Sequence, residues 1–173
     1  MSQGAESNWS GKFLEDIVER EFLARDISVF RHSQKRFNDD LFHRRWLLKR
    51  VPYTSIYNCR SVSEFVYRDL DRHDIRIECR WQESRGSVDE KFPYLLDNAK
   101  RQMPEIEVWL LIGGGGAKTK ALAWLKREAE AVRHKTIRVL EIGEVRKLIR
   151  NLPTGPRETL PKVVGSIFAG AAA

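Results

Sequence analysis

Cysteine is almost missing from this 173-residue chain, and the two that occur, Cys59 and Cys79, are isolated. Such a pair makes neither a CxxC metal knuckle nor a disulfide framework, so both are expected to be reduced and structural. No apolar run approaches the roughly 20 residues that span a bilayer, which argues against a membrane protein. Met1 to Ser10 holds no apolar signal segment, so a cytoplasmic location is expected. The four histidines, His32, His43, His73 and His134, show no HxH or HExxH spacing; zinc-hydrolase chemistry is set aside and they are expected as ordinary surface residues. Gly113 to Thr119 (GGGGAKT) has Ala117 where a Walker A motif needs glycine before its lysine, which removes nucleotide hydrolysis. Internal repeats are also missing.

Positive charge is plentiful. Thirty-one Lys and Arg against twenty-four Asp and Glu leave a formal net charge of +7, suited to a polyanionic partner such as DNA. Arg31 to Arg50 interleaves Arg31, Lys35, Arg36, Arg44, Arg45, Lys49 and Arg50 with Phe37, Phe42 and Trp46, as a phosphate-contacting surface would, although aromatics there also suit a core. The glycine segment reads as a sharp turn or as a place where a DNA backbone approaches a helix start, with Lys118 and Lys120 meeting phosphate.

Periodicity supplies the elements. Ser10 can cap a first helix with Phe13, Leu14, Ile17, Val18 and Phe22 inward and Glu15 and Glu19 on another face. Residues 26 to 40 fit strand or loop. Arg45 to Tyr53 predicts a strand ending at Pro52, and Ser63 to Leu70 with Asp74 to Gln82 predicts a hairpin. In its second strand Ile75, Ile77, Cys79 and Trp81 alternate with Arg76, Glu78, Arg80 and Gln82. A helix from Val88 to Gln102 started or interrupted by Pro93, a buried strand from Glu105 to Ile112, a helix from Ala117 to His134, a strand from Ile137 to Ile142 and a short helix from Gly143 to Asn151 complete the order. The expectation is one α/β domain, a mixed β-sheet sandwiched by helices, over residues 10–151, with a loose start at 1–9 and an irregular tail at 152–173.

A hairpin turn centred near Asp71 places Glu64 opposite Glu78, two like charges that need a cation or a basic neighbour between them. Arg80 stands one pleat beyond Glu78, and Mg2+ accepts oxygen ligands of this kind. The plainer alternative is a solvated sheet face laced with ion pairs through Glu64, Arg68, Arg76, Glu78 and Arg80.

Ile75 to Lys91 (IRIECRWQESRGSVDEK) resembles the PD-(D/E)XK nuclease superfamily, where a core strand bears E-x-K before a glycine-containing turn and a helix. Ser63-Glu64-Phe65 resembles the upstream P-D-x segment, and Ser10-Gly11 with Leu14-Glu15-Asp16 resembles the opening helix of members that include phage junction-resolving endonucleases. In element order the resemblance covers about Ser10 to Ile142. It implies a restriction-endonuclease-like αβββαβ core with an added αβ, and a Mg2+- or Mn2+-dependent DNA endonuclease of phage, mobile-element or repair type. By the same resemblance Glu64, Glu78 and the Cys79 backbone carbonyl would ligate metal, with Glu15 assisting from the helix.

Arginine stands at Arg80 where the family has lysine. Arg80 stays charged and can orient water or stabilise a phosphorane, but it cannot act as a general base. Lys91 at the next helix start can compensate, and Gln82 on the charged face can contact water or phosphate. The rival reading keeps the fold and drops the chemistry: a degenerate DNA-binding or assembly protein. A homodimer or a larger nuclease complex is compatible with either.

Overall fold

The computed structural model describes residues 3–34, 45–71, 73–82 and 89–153, with side chains from Lys12 onward. Helix α1, Gln3–Leu23, opens the chain. It begins at Gln3 and not at Ser10, so residues 3–9, expected as a loose lead-in, are helical. Leu14, Ile17, Val18 and Phe22 are buried as their spacing requires, whereas Phe13, expected inward, is half exposed and meets the Trp81 ring edge-on at 5.4 Å between centroids.

Strand β1, Ser28–Arg31, lies within the stretch that sequence left between strand and loop, and a 3-10 turn, His32–Gln34, follows it. Then come β2, Trp46–Thr54; β3, Arg60–Arg68; and β4, Asp74–Trp81. Pro52 does not end β2, since it pairs with Val62 and the strand runs on to Thr54. Strand β1 covers β2 only as far as Lys49, and a strand open on one side tolerates proline. A 3-10 turn, Asp89–Lys91, leads into helix α2, Phe92–Arg101, with Pro93 in its first turn, where a missing N–H costs no hydrogen bond. Strand β5, Glu107–Gly113, helix α3, Thr119–Glu130, strand β6, Thr136–Leu140, and helix α4, Ile142–Arg150, complete the described chain. Helix α3 is shorter at both ends than the expected 117–134.

The six strands form one mixed sheet in chain order, parallel at β1-β2, β4-β5 and β5-β6 and antiparallel at β2-β3 and β3-β4. One core joins Leu14, Val18 and Phe22 of α1 and Val145 and Ile149 of α4 to Phe65, Tyr67, Ile75, Ile77 and Trp109. On the opposite sheet face Phe92, Leu95, Leu96 and Leu125 of α2 and α3 pack on Val108, Leu110, Ile112 and Val139. This α/β sandwich is the expected restriction-endonuclease-like class, with β1 added at one edge. Because both faces are covered, the charged row of β4 is not a solvated surface: Arg76, Glu78 and Gln82 are all buried. No described helix is long and apolar enough to cross a membrane.

Candidate metal and catalytic site

The hairpin register places Phe65 against Ile77, Val66 against Arg76, Tyr67 against Ile75 and Arg68 against Asp74. Extended by one pair it sets Glu64 opposite Glu78, and there the ladder stops while β4 stays paired to β5 through Trp81. The sheet thus forks between β3 and β4. In place of a main-chain partner, the Cys79 amide donates to Glu64 Oε2 at 2.9 Å.

Strand β2 breaks at the same level. Lys49 pairs with Phe65 and Val51 with Ser63, while Arg50 between them has φ of 60°, a left-handed conformation that L-residues seldom adopt. Before Arg50, Leu47 faces the α1 core and Lys49 reaches Glu19 of α1; beyond it, Val51 shares a face with Trp46 and Leu48. The reversal also brings Ser63 to the α2 face, where its hydroxyl accepts a hydrogen bond from Arg76 at 2.7 Å. Arg76 is itself held by Glu105 at 2.5 and 2.8 Å and lies 5.5 Å from the centre of the Tyr53 ring.

Glu78 is fully buried, and its Oε1 has no hydrogen-bond partner among the described residues. Desolvation, then the nearby Glu64 charge, push its pKa up to about 7, while Arg80 and Ser63 draw it down. Glu15 on α1 is raised by burial and by Glu64, with Arg50 and Lys49 opposing, so the first helix does bring a third carboxylate toward the fork. The buried Cys79 thiol is held well above its ordinary range, mainly by desolvation and then by Glu64.

Arg80 ties these groups together. Its guanidinium donates to Glu78 Oε2 at 2.9 Å, to the Cys79 carbonyl at 2.7 Å and to Glu64 Oε1 at 3.4 Å. Burial opposes its charge, but Glu78 and Glu64 outweigh burial and hold the guanidinium protonated. Those acceptors are the three groups that the resemblance assigns to a metal. The donor set fits a hard cation: the Glu64 carboxylate, the Cys79 carbonyl, and the Glu78 carboxylate, one oxygen of which has no hydrogen-bond partner among the described residues. A cation entering there has to displace the guanidinium, whose side chain is 34 % exposed and so has a way out.

The remaining expected site residues scatter. Gln82 is buried, its backbone bonded to Gly113 and Gly116 across the glycine turn. Lys91 is exposed at the N-cap of α2, and among the described residues no hydrogen bond or ion pair joins it to Glu64 or Glu78. Lys118 and Lys120 are exposed at the start of α3, but the Lys118 amide already faces the Asp89 carboxylate at 3.3 and 3.4 Å. Arg45 is half-buried just before β2, and Arg44 lies outside the described residues. Two simpler expectations also change: Cys59 is exposed on a turn, and His73 Nε2 lies 2.8 Å from Glu107 Oε2.

Sequence reasoning missed Tyr53, whose phenol is pushed up to about 12 by burial, then by Glu78 and Tyr94. It also missed the roles of Ser63 and Arg76. Ser63 adjoins Glu64 in the chain, which was a usable signal; the reversal at Arg50 left none.

A mixed sheet covered by helices on both faces and forked beside Glu64 and Glu78 is an α/β sandwich of the restriction-endonuclease-like class. The family model described as a PD-(D/E)XK nuclease superfamily domain matches residues 6–152, and the chain belongs to that superfamily. No curated protein and no solved structure gives a significant match.

Proposed function

We propose that this chain is a divalent-metal-dependent DNA endonuclease, working through Glu64 and Glu78, of the phage, mobile-element or repair type. The observation that carries the proposal is the fully buried Glu78, whose Oε1 has no hydrogen-bond partner among the described residues, facing Glu64 at the fork. Arg80 reaches Oε2 only, and a buried carboxylate left half-paired is costly unless a proton or a further cation meets its other oxygen. Superfamily membership supports phosphodiester hydrolysis as the reaction.

Glu64, Glu78 and the Cys79 carbonyl are the groups that would hold Mg2+ or Mn2+, with Glu15 assisting. Bound there, the ion supplies Lewis-acid polarisation of a phosphoryl oxygen and acidifies an attacking water. The protein does the rest. Glu64 is oriented by the Cys79 amide, and Arg76 fixes Ser63 beside Glu78. Arg80, released from the carboxylates, presents a permanent charge to the phosphate as negative charge develops on it. Proton abstraction falls to another group, because arginine cannot shed its proton. Gln82 and Lys91 are reserve contacts to water or phosphate. Arg44, Arg45, Lys49, Lys118 and Lys120 are proposed to meet the DNA backbone, and two-strand cutting would call for a homodimer or a larger complex.

One observation favours a second reading, the catalytically degenerate DNA-binding or assembly protein: Arg80 already donates to all three expected metal ligands. A cleavage assay separates the two. Supercoiled, linear, single-stranded and branched DNA are incubated with Mg2+, Mn2+ or EDTA, using wild type and Glu78→Gln. Metal-dependent cutting lost in Glu78→Gln supports the nuclease; binding without cutting on every substrate overturns it in favour of the second reading.

A further inference from the structure

We infer that Tyr57 and Tyr94 form a stacking platform for an unpaired nucleobase beside the cleavage site, so that the preferred substrate is DNA with single-stranded character. The inference rests on the nuclease reading for its position and on separate geometry for its ligand. Tyr57 sits on the turn between β2 and β3, is 70 % exposed, and lies stacked on Tyr94 of α2 with ring centroids 5.0 Å apart and planes 20° from parallel. A ring this exposed contributes little to a core. Rigid exposed aromatics instead offer a face to any base, and stacking is sequence-tolerant because every base has a π-face.

The platform is held from beneath. Ser55 closes the turn twice, its amide donating to the Cys59 carbonyl and its carbonyl accepting from the Asn58 amide, both at 2.8 Å, and Asn58 takes the left-handed φ of 56° that asparagine tolerates. Asn98, fully buried on α2, joins the two halves: its Oδ1 accepts from the Ile56 amide at 3.0 Å and its Nδ2 donates to the Tyr94 carbonyl at 2.7 Å. One buried side chain therefore fixes the turn that carries Tyr57 to the helix that carries Tyr94. Such fixing reduces the ordering cost of binding.

Position supplies the function. Four residues before Tyr57, Tyr53 lays its ring by Arg76, and Arg76 is one pleat from Glu78 on the same face of β4. Tyr53 also packs against the cluster of Phe92, Leu95 and Leu110, which joins the helix that carries Tyr94 to the strand residue paired with Glu78. Arg60, exposed where β3 begins and paired with Thr54, offers a charge for the phosphate of a stacked nucleotide, and the net charge of +7 favours the polyanion. In duplex DNA the bases stack on one another and present no free face. Only a flap, bubble or single strand can use the rings.

The test is anisotropy of dye-labelled single-stranded DNA and the matching duplex with wild type, Tyr57→Ala and Tyr57→Phe, in EDTA so that nothing is cut. Tyr57→Ala should lose about 5-fold or more in single-strand affinity and little in duplex affinity, while Tyr57→Phe keeps both. Equal losses on both DNAs, no loss on either, or wild type binding duplex at least as tightly as single strand would each overturn the platform. Because Tyr57 is exposed, the substitutions leave the core intact. Single-strand preference that survives while no substrate is ever cut sinks the nuclease reading and leaves the platform standing.

Discussion

Arg80 and Glu78, two residues apart on β4, form an ion pair of 2.9 Å in which the carboxylate is fully buried and the guanidinium only partly so. Removing the guanidinium leaves Glu64 and Glu78 facing each other without compensation. Arg80→Met should therefore destabilise the metal-free protein by roughly 2–3 kcal/mol at pH 8, less than a fully buried pair because Arg80 reaches solvent. Under the proposed metal-dependent function it should also tighten Mn2+ binding by about tenfold or more, since the competing cation is gone. Thermal melts in EDTA and Mn2+ titration by electron paramagnetic resonance measure the two effects. Unchanged Mn2+ affinity would show that Arg80 does not occupy the proposed metal position.

Stability should depend on pH through Glu78. Its folded pKa of about 7 lies above the ordinary 4.5, so between these values the folded state holds more protons than the unfolded state. The associated stability is fully present below pH 4.5 and is lost as pH rises through about 7. Glu15 shifts in the same direction, whereas Glu107, whose hydrogen bonds from Trp109, His73 and Arg138 outweigh its burial, is lowered and acts oppositely. The readout is accordingly a difference. Chemical denaturation of metal-free wild type minus Glu78→Gln should slope downward from pH 5 to 7 and flatten above; a flat difference would remove Glu78 as the buried titrating group.

Much of this site was legible because hairpin geometry is arithmetic. Glu64 and Glu78 are equidistant from Asp71, and a tight turn there leaves one antiparallel register. Helix α1 was legible from Leu14, Ile17, Val18 and Phe22, whose spacing matches one helical face. Strand β1 was not, since Ser28–Arg31 is four residues at a sheet edge without clean alternation of burial. Nor was the burial of Arg76 and Glu78: alternation separates two faces, but only the packing of α2 and α3 decides that the polar face is covered too. Tyr53 escaped for a third reason. Strand parity assigns faces only while the backbone stays extended, and Arg50 reverses them with one left-handed residue.

Arg76 and Glu105 make the best-enclosed ion pair near the site, with side chains 2 % and 8 % exposed. Arg76→Met should cost about 3–5 kcal/mol, because it strands the Glu105 charge and frees Ser63. The double variant Arg76→Met with Glu105→Leu should recover most of that loss, since matched apolar groups replace buried pairs at little cost. Urea titration of both variants measures it. A double variant as unstable as the single one would mean that Arg76 matters for its shape under Tyr53 and not for its charge.

Gly114 and Gly115 both have left-handed backbone, φ of 93° and 70°, yet they should respond differently to the same substitution. A Cβ on Gly115 meets nothing within 4 Å among the described residues, so Gly115→Ala carries only the conformational penalty, about 1–2 kcal/mol. A Cβ on Gly114 would fall 2.2 Å from the Gln82 carbonyl oxygen and 2.4 Å from its carbon, atoms of a backbone that cannot turn aside. That backbone is also fixed, since the Gln82 amide donates to Gly113 at 2.9 Å and its carbonyl accepts from Gly116 at 2.7 Å. Gly114→Ala should therefore cost more than Gly115→Ala, by about 2 kcal/mol or more, once the broken turn bonds add to the strain. Under the proposed nuclease function it should also lower cleavage, because Gln82 follows the end of the strand that presents Glu78 and Arg80. Denaturation midpoints of the two variants side by side decide the point; equal destabilisation would mean that the turn relaxes freely and that close approach to Gln82 is not what this glycine provides.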